Sequence, residues 1–229
     1  MKKLLLISIL LLLYLVVKAE MPVFTDSAQY SLITCSPGKE LYARFGHTGI
    51  RVKDSINNTD VVFNYGLFSF NTENFYYKFI KGETDYQLGV ISTNAFLSEY
   101  IMRNSYVWEQ ELNLTTAEKR KLAAALIENY KPENRVYRYN FIYDNCATRP
   151  RDRILHACDG MVKLTNPGEQ RTFRNWVALY TGTESWTQFG IDLLFGRSAD
   201  VNATNIESMF LPEVLMSEFE NIRIVRKDS

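Results

Sequence analysis

A cysteine and a histidine held together can do nucleophilic chemistry, and this chain has few of either. It has three cysteines, Cys35, Cys146 and Cys158, and two histidines, His47 and His156. Cys146 has the most reactive setting. The run Tyr143-Asp144-Asn145-Cys146-Ala147-Thr148-Arg149-Pro150-Arg151-Asp152-Arg153 places it between a Tyr-rich extended stretch, read as a strand over 135–143, and a helix predicted over 150–157. Pro150 suits the first turn of that helix. A thiol at a helix mouth meets the positive end of the dipole, and Arg149, Arg151 and Arg153 add positive charge, which favours thiolate. The plainer reading is a buried structural cysteine or half of a disulfide. A base decides between them.

A thiol nucleophile needs a base within hydrogen-bond reach and a third group to orient that base. His156 lies ten residues beyond Cys146, about 15 Å along a helix axis at 1.5 Å per residue. It is therefore expected on the helix surface, out of reach. His47 remains, on a strand entered through Gly46, with His47, Gly49 and Arg51 on one face and Thr48, Ile50 and Val52 on the other. A hairpin through the polar loop 54–60 brings Asn64 back beside His47. Its side-chain oxygen would accept from the imidazole N–H and turn the other ring nitrogen toward sulfur. A structural strand histidine, and an Asn satisfying a local backbone group, stay open as alternatives.

The oxyanion would be met by the Cys146 backbone N–H and Tyr143, with Asn145 and Arg149 as further candidates for oxyanion or substrate positioning. Arg149 has a second reading as a brace for acidic neighbours. Positions 149, 151 and 153 do not share a helix face, so at most one or two of the arginines enter a cleft. No CxxC or HxxxH spacing, GxSxG or Gly-rich phosphate loop occurs, and no metal or cofactor is predicted.

Several elements must hold these residues. Strands are expected over 29–36, 41–53, 60–70, 87–91 and 106–112, with a helix from Thr93 to near Ser105. Thr115 and Glu118 form a capping box for a second helix that stops before Pro132. The aromatic run 68–80 is read as a loop or short helix covering the sheet. Amphipathic stretches at 173–180, 186–195 and 206–219 make a helical C-terminal part from about 165. Strands and helices segregated in this way predict an α+β fold, not a doubly wound sheet.

At 46% hydrophobic and 14% aromatic over 229 residues, the chain can fill the core of a single domain. Zero net charge without a basic block argues against nucleic acid as partner. Lys2 and Lys3, the apolar run Leu4 to Val17 and the small residues Val17 and Ala19 read as a signal peptide over 1–19, the alternative being an uncleaved anchor. Residues 1–19 carry three lysines and no acid, so the remainder has 23 basic against 26 acidic residues, a net of −3. No membrane span is expected beyond the signal segment. An odd cysteine count in an exported chain leaves at least one thiol unpaired within it; Cys35 with Cys158 is one pairing that would free Cys146.

The segments Phe45-Gly46-His47-Thr48, Phe63-Asn64-Tyr65-Gly66, Glu109-Gln110-Glu111-Leu112-Asn113-Leu114-Thr115, Asp144-Asn145-Cys146-Ala147-Thr148-Arg149 and Met209-Phe210-Leu211-Pro212 occur in an order and spacing that resemble a bacterial envelope family. That family is the periplasmic domain named for the N-terminal part of lacto-N-biosidase (Lnb)-type proteins. The resemblance implies a circularly permuted papain-like fold of the NlpC type, also similar to lecithin retinol acyltransferase-like proteins, in which the histidine strand precedes the cysteine helix. Family members often continue into membrane-spanning segments, which residues up to Ser229 do not show.

Together these readings predict a periplasmic or otherwise exported domain over 20–229. Its antiparallel sheet packs on helices, and it acts as a cysteine hydrolase or acyltransferase on an amide or ester. Cys146 would be the nucleophile, His47 the base and Asn64 its orienting group. The expected substrate is an envelope component: a cell-wall peptide by analogy with NlpC-type enzymes, or else a lipid or glycoconjugate. The competing reading is a non-catalytic envelope domain that binds a glycan or protein partner through the aromatic run.

Overall fold

The computed structural model describes residues 22–68, 73, 84–164, 170–182 and 186–226. The signal segment expected at 1–19, and nearly all of the aromatic run 68–80, lie outside them.

Alternating apolar positions give a six-stranded sheet. It comprises β1 (Gln29–Cys35), β2 (His47–Asp54), β3 (Thr59–Leu67), β4 (Asp85–Ser92), β5 (Val107–Glu111) and β6 (Val136–Arg138), ordered β5-β1-β2-β3-β4-β6. Every pairing in it is antiparallel. The described helices are α1 (Thr93–Met102), α2 (Thr116–Tyr130), α3 (Thr148–Ala157), α4 (Phe173–Thr181), α5 (Trp186–Phe195), α6 (Asn205–Ser208) and α7 (Pro212–Asn221). A small pair, β7 (Met161–Lys163) with β8 (Arg223–Val225), ties the end of α3 to the end of the chain. The class is α+β.

Period-two alternation sorts the strand residues onto two covered faces. Tyr30, Leu32, Ile50, Val52, Phe63 and Leu88 face Leu122 and Leu126 of α2, Ile154 and Ala157 of α3 and Leu215 of α7. The opposite face sets Ile33, Cys35 and Val62 against Phe96 and Tyr100 of α1. A third cluster joins Phe173 and Val177 of α4 to Phe210, Leu211 and Ile142, with Phe45 and Phe141 packed on it. Fully burying one such side chain contributes about 1.5–3 kcal/mol, so the clusters fix where each element sits.

The Thr115 capping box forms as expected, with the Glu118 backbone N–H donating to Thr115 Oγ1 at 3.3 Å and the Thr115 N–H to Glu118 Oε2 at 2.7 Å. Glu118 also accepts the Asp159 N–H at 2.8 Å and an Arg226 N–H at 2.6 Å. One carboxylate thus gathers the start of α2, the end of α3 and the C-terminal segment.

Several element boundaries depart from the sequence reading. The strand expected over 135–143 ends at Arg138. Beyond it the chain doubles back: Asn140 and Asp144 exchange backbone hydrogen bonds of 3.0 and 2.9 Å. Asn140 Oδ1 accepts the N–H groups of Ile142 and Tyr143 at 3.0 Å each, an Asx turn that out-competes the strand. The stretch read as a strand over 41–53 begins with a 3-10 turn, Leu41–Ala43, and becomes strand only at His47. The 206–219 helix divides at Leu211, whose backbone is extended before Pro212.

Candidate active site

The site is assembled where β2 starts, β3 bulges and α3 begins. His47 opens β2 and lies opposite Cys35 of β1. Gly46 before it has φ +78°, and a Cβ there would come within 2.6 Å of the Cys35 carbonyl oxygen, so only glycine lets the chain enter the strand here. Asn64 of β3 stands opposite Gly49 and reaches His47 on the diagonal, on the same face of the sheet. Its Oδ1 lies 2.5 Å from His47 Nε2. The register of β3 against β4 then shifts between Asn64 and Leu67.

Gly66 sits in that bulge with φ +93°. A Cβ built on it would lie 3.5 Å from Cys146 Cβ and 3.7 Å from His47 Cε1. The thiol-bearing residue and the imidazole therefore flank one bare backbone position. Cys146 lies near enough to His47 to act on the imidazole. Burial lowers the imidazole pKa, but Cys146, then Asn64 and Glu99, outweighs it, and the net shift is upward. On its other side His47 faces Tyr100, nearly parallel at 6.5 Å, and Phe96 at 6.3 Å.

Cys146 directly precedes Ala147, the residue at the N-cap of α3, which makes no side-chain cap. Asn145 supplies the cap instead. Its Oδ1 accepts the N–H groups of Ala147 at 2.7 Å and Thr148 at 2.9 Å, and Thr148 Oγ1 accepts the Asn145 N–H at 2.8 Å. Both Nδ2 protons go to carbonyls, Phe141 at 2.6 Å and Phe210 at 2.9 Å. All four side-chain valences of this buried Asn are engaged by the protein. The Phe210 bond ties the cysteine loop to the Met209-Phe210-Leu211-Pro212 segment. The Cys146 backbone N–H donates to no described group.

The remaining sequence candidates divide. Arg149 sits beside the site, but its Nε and Nη2 donate to the two Asp144 oxygens at 2.5 and 2.8 Å, and its guanidinium carbon lies 3.5 Å over the Tyr137 ring. Tyr143 is exposed and packs edge-on against Phe173 at 5.7 Å, in the C-terminal cluster. Arg151 pairs with Asp152 and donates to the Ile206 carbonyl, both at 2.7 Å. His156 is exposed at the end of α3. Cys35 and Cys158 are free thiols and are not joined to each other. Burial pushes Cys35 up to about 12 and Cys158 up to about 11.

Sequence reasoning missed a set of phenols around Cys146. Tyr86, Tyr137 and Tyr139 all have raised pKa values, burial first and the charge of Cys146 second. Tyr86 and Tyr139 pack edge-to-face at 4.1 Å, Phe68 adds to Tyr86 at 5.0 Å, and the Tyr137 hydroxyl is buried without a partner. The signal was present in the alternating tyrosines of 136–141, read only as a strand face. Among the described residues no three His, Cys, Asp or Glu side chains cluster as metal ligands, and no helix is long and apolar enough to cross a membrane.

The profile of the Lnb N-terminal periplasmic domain family matches residues 20–178, well over half of the chain. No curated protein and no solved structure matches it.

Proposed function

The chain belongs to the Lnb N-terminal periplasmic domain family and is a periplasmic or otherwise exported protein; from there we propose that it is a thiol hydrolase or acyltransferase acting on an amide or ester of the cell envelope. The observation that carries the reading is an imidazole fixed by Asn64, with Cys146 and His47 Cε1 flanking the bare backbone of Gly66. Asn64 holds Nε2, which leaves Nδ1 as the ring nitrogen for Cys146, and the thiol itself favours the charged ring. That is the arrangement a Cys-His-Asn nucleophile needs.

In the proposed reaction His47 takes the Cys146 proton and the sulfur attacks the carbonyl carbon. The carbonyl electron pair moves onto oxygen, where the free Cys146 N–H meets the negative charge. Collapse of the intermediate breaks the bond to the amine or alcohol, which leaves with the proton from His47. A thioester on Cys146 remains. Water, or an acceptor amine or alcohol, then gives its proton to His47 and releases the acyl group, restoring the thiol. The buried phenols near Cys146 stay protonated and keep the surroundings free of competing anions. Asn145 and Arg149 act through the loop and the start of α3, positioning Cys146 rather than touching substrate.

The order of histidine strand before cysteine helix supports a circularly permuted papain-like topology. The substrate class follows by analogy with NlpC-type enzymes and is a cell-wall peptide. The test is a thiol-directed activity probe on the exported protein. Covalent labelling is expected at Cys146, falling by at least about a hundredfold in His47→Ala, the size of a general-base contribution. Labelling that is equal in His47→Ala, or that falls on Cys158 instead, overturns the reading.

A further inference from the structure

Beside the candidate site lies a cavity of about 640 Å³ lined by Pro37, Gly38, Lys39, Arg44, Leu179, Tyr180 and Glu213. Its floor is a fastened loop: the N–H groups of Gly38 and Gly46 both donate to the Ala43 carbonyl, at 2.8 and 3.1 Å. Its far wall comes from α4 and the start of α7. Gly46 approaches both sides of it: a Cβ there would lie 3.6 Å from Cβ of Pro212, the neighbour of Glu213, and 3.7 Å from Pro37 N. The cavity thus lies near the segment that leads into His47.

The charges in this cavity are unspent. Arg44 makes one side-chain hydrogen bond, Nη2 to the Lys39 carbonyl at 3.0 Å, and its buried Nε has no partner. Among the described residues neither Arg44 nor Lys39 has a carboxylate within 4.0 Å, although Glu213 lines the same cavity. Glu213 instead lies close to Tyr180, whose pKa is raised by burial first and by this carboxylate second. Opposite charges share one cavity without touching, and Leu179 and Tyr180 give it an apolar side. A guanidinium left with most of its donors unpaired suits a bidentate carboxylate. Glu213 across from it suits an ammonium.

We propose that this cavity binds an α-amino carboxylate group, one end of a ligand bearing both a free ammonium and a free carboxylate on the same carbon. The carboxylate sits on Arg44 and Lys39, the ammonium on Glu213, and a short side chain against Leu179 and Tyr180. Such a group is carried by a free amino acid, or by a peptide residue joined to its neighbour through its side chain. In the second case the cavity is the subsite that holds the substrate beside His47. That role as a subsite rests on the thiol-enzyme reading; the binding does not.

The test uses exported Cys146→Ala protein, so binding is read without catalysis. L-alanine, D-alanine, alaninamide and N-acetylalanine are titrated separately while the amide resonances of Gly38 and Leu179 are followed by NMR. At least one alanine enantiomer is expected to give saturable shifts, with affinity weaker by about tenfold when either end is capped. Arg44→Gln is expected to weaken it by about the same factor at unchanged melting temperature. Should Arg44→Gln fail to fold, Lys39→Gln, at an exposed position, carries the same arm with a smaller loss. No saturable shift, equal affinity for capped and free alanine, or indifference to both variants overturns the proposal. Activity-probe labelling of Cys146 with no alanine binding would sink the cavity and leave the nucleophile standing; the converse result would do the opposite.

Discussion

His47 Nε2 and Asn64 Oδ1 meet at 2.5 Å across a diagonal of the β2–β3 ladder. A buried amide on a strand is disfavoured unless its polar atoms are used. Here the side-chain oxygen fixes both the tautomer and the tilt of the imidazole, while Tyr100 and Phe96 cover the ring. Asn64→Ala is therefore expected to slow labelling of Cys146 by about ten- to a hundredfold, the range for losing an orienting partner. Asn64→Asp, which keeps the acceptor, should recover most of that rate. Equal rates in the wild type and Asn64→Ala would show that the contact orients nothing of consequence.

The upward shift of His47 has a pH signature. Burial opposes the charged ring, and Cys146, Asn64 and Glu99 overcome it. A histidine with a raised folded-state pKa contributes stability that is fully present below its unfolded value of 6.5 and is lost as pH climbs through the higher folded value. Relative to His47→Gln, the wild type should lose stability as pH rises above 6.5. In Cys146→Ala the largest raising contributions vanish and burial remains, so the His47 ring-proton titration followed by NMR should move down. An unmoved titration would detach Cys146 from the imidazole.

Gly66 makes room for that pair. Alanine there must adopt φ +93° and place its methyl against both Cys146 Cβ and His47 Cε1. The backbone strain alone costs about 1–3 kcal/mol. Gly66→Ala should lower the melting temperature and retard alkylation of Cys146 together. Gly46→Ala should be worse, since its methyl would press on the Cys35 carbonyl at 2.6 Å.

Much of this was legible in the residues. The two-face division of 47–52, the Thr115 capping box and the exclusion of His156 followed from period and reach alone, because strand alternation and helical rise are local rules. The return of Asn64 beside His47 followed from the hairpin, though the register sets it opposite Gly49 and on a diagonal to His47. What local rules could not supply was competition and destination. Asn140 spends its side chain on a turn, so a strand that alternation extends to 143 stops at 138. Asn145 looked like a group for substrate because it adjoins Cys146; only the fold reveals Phe210, 65 residues on, as the recipient of its amide proton. Arg44 and Glu213 lie on separate elements, so nothing in the chain joins them until the cavity does.

Asn145 gives the next prediction. Alanine would leave the Ala147 and Thr148 N–H groups and the Phe141 and Phe210 carbonyls without their partners in a buried setting. Each orphaned buried group costs about 1–3 kcal/mol, partly relieved by relaxation. Asn145→Ala should therefore be among the most damaging single changes at the site, lowering stability by several kcal/mol. Asn145→Asp keeps the two cap acceptors but loses both donors, and should fall between it and the wild type. Denaturant melts of the three proteins give the order. A near-neutral Asn145→Ala would mean that the cysteine loop is held by something else.

Glu118 predicts the acid side of the stability curve. Its side chain is buried; burial raises its pKa, but Arg226 and the Thr115 and Asp159 N–H groups outweigh this and lower it to about 2. A depressed carboxylate contributes stability above its unfolded value of 4.5 and loses it as pH falls toward 2. At neutral pH the contribution is about 3 kcal/mol, at 1.36 kcal/mol per pKa unit. Glu118→Gln should be less stable than the wild type at pH 7, and the gap should close between pH 4.5 and 2. A gap independent of pH would mean that packing of the side chain, not its charge, holds α2 to the C-terminal segment.

Arg149 decides between brace and substrate contact. Two of its three nitrogens are committed to Asp144, and the guanidinium plane lies over Tyr137. Its side chain is 18% exposed and that of Asp144 37%, so solvent screens the pair only in part. A bidentate, stacked arginine in such a setting contributes about 1–3 kcal/mol after that discount. Lysine retains the charge but loses the planar fork. Arg149→Lys should lower the melting temperature by several degrees, taking about 2–4 °C per kcal/mol for a chain of this size. A double-mutant cycle with Asp144→Asn should return a coupling of about 1 kcal/mol or more. Chemistry at the thiol should change little per folded molecule: the ratio of alkylation rates with iodoacetate and iodoacetamide should be the same in the wild type and Arg149→Lys. If Arg149→Met instead depresses the iodoacetate rate selectively while its melting temperature holds, the guanidinium faces the cleft and the brace is not its main role.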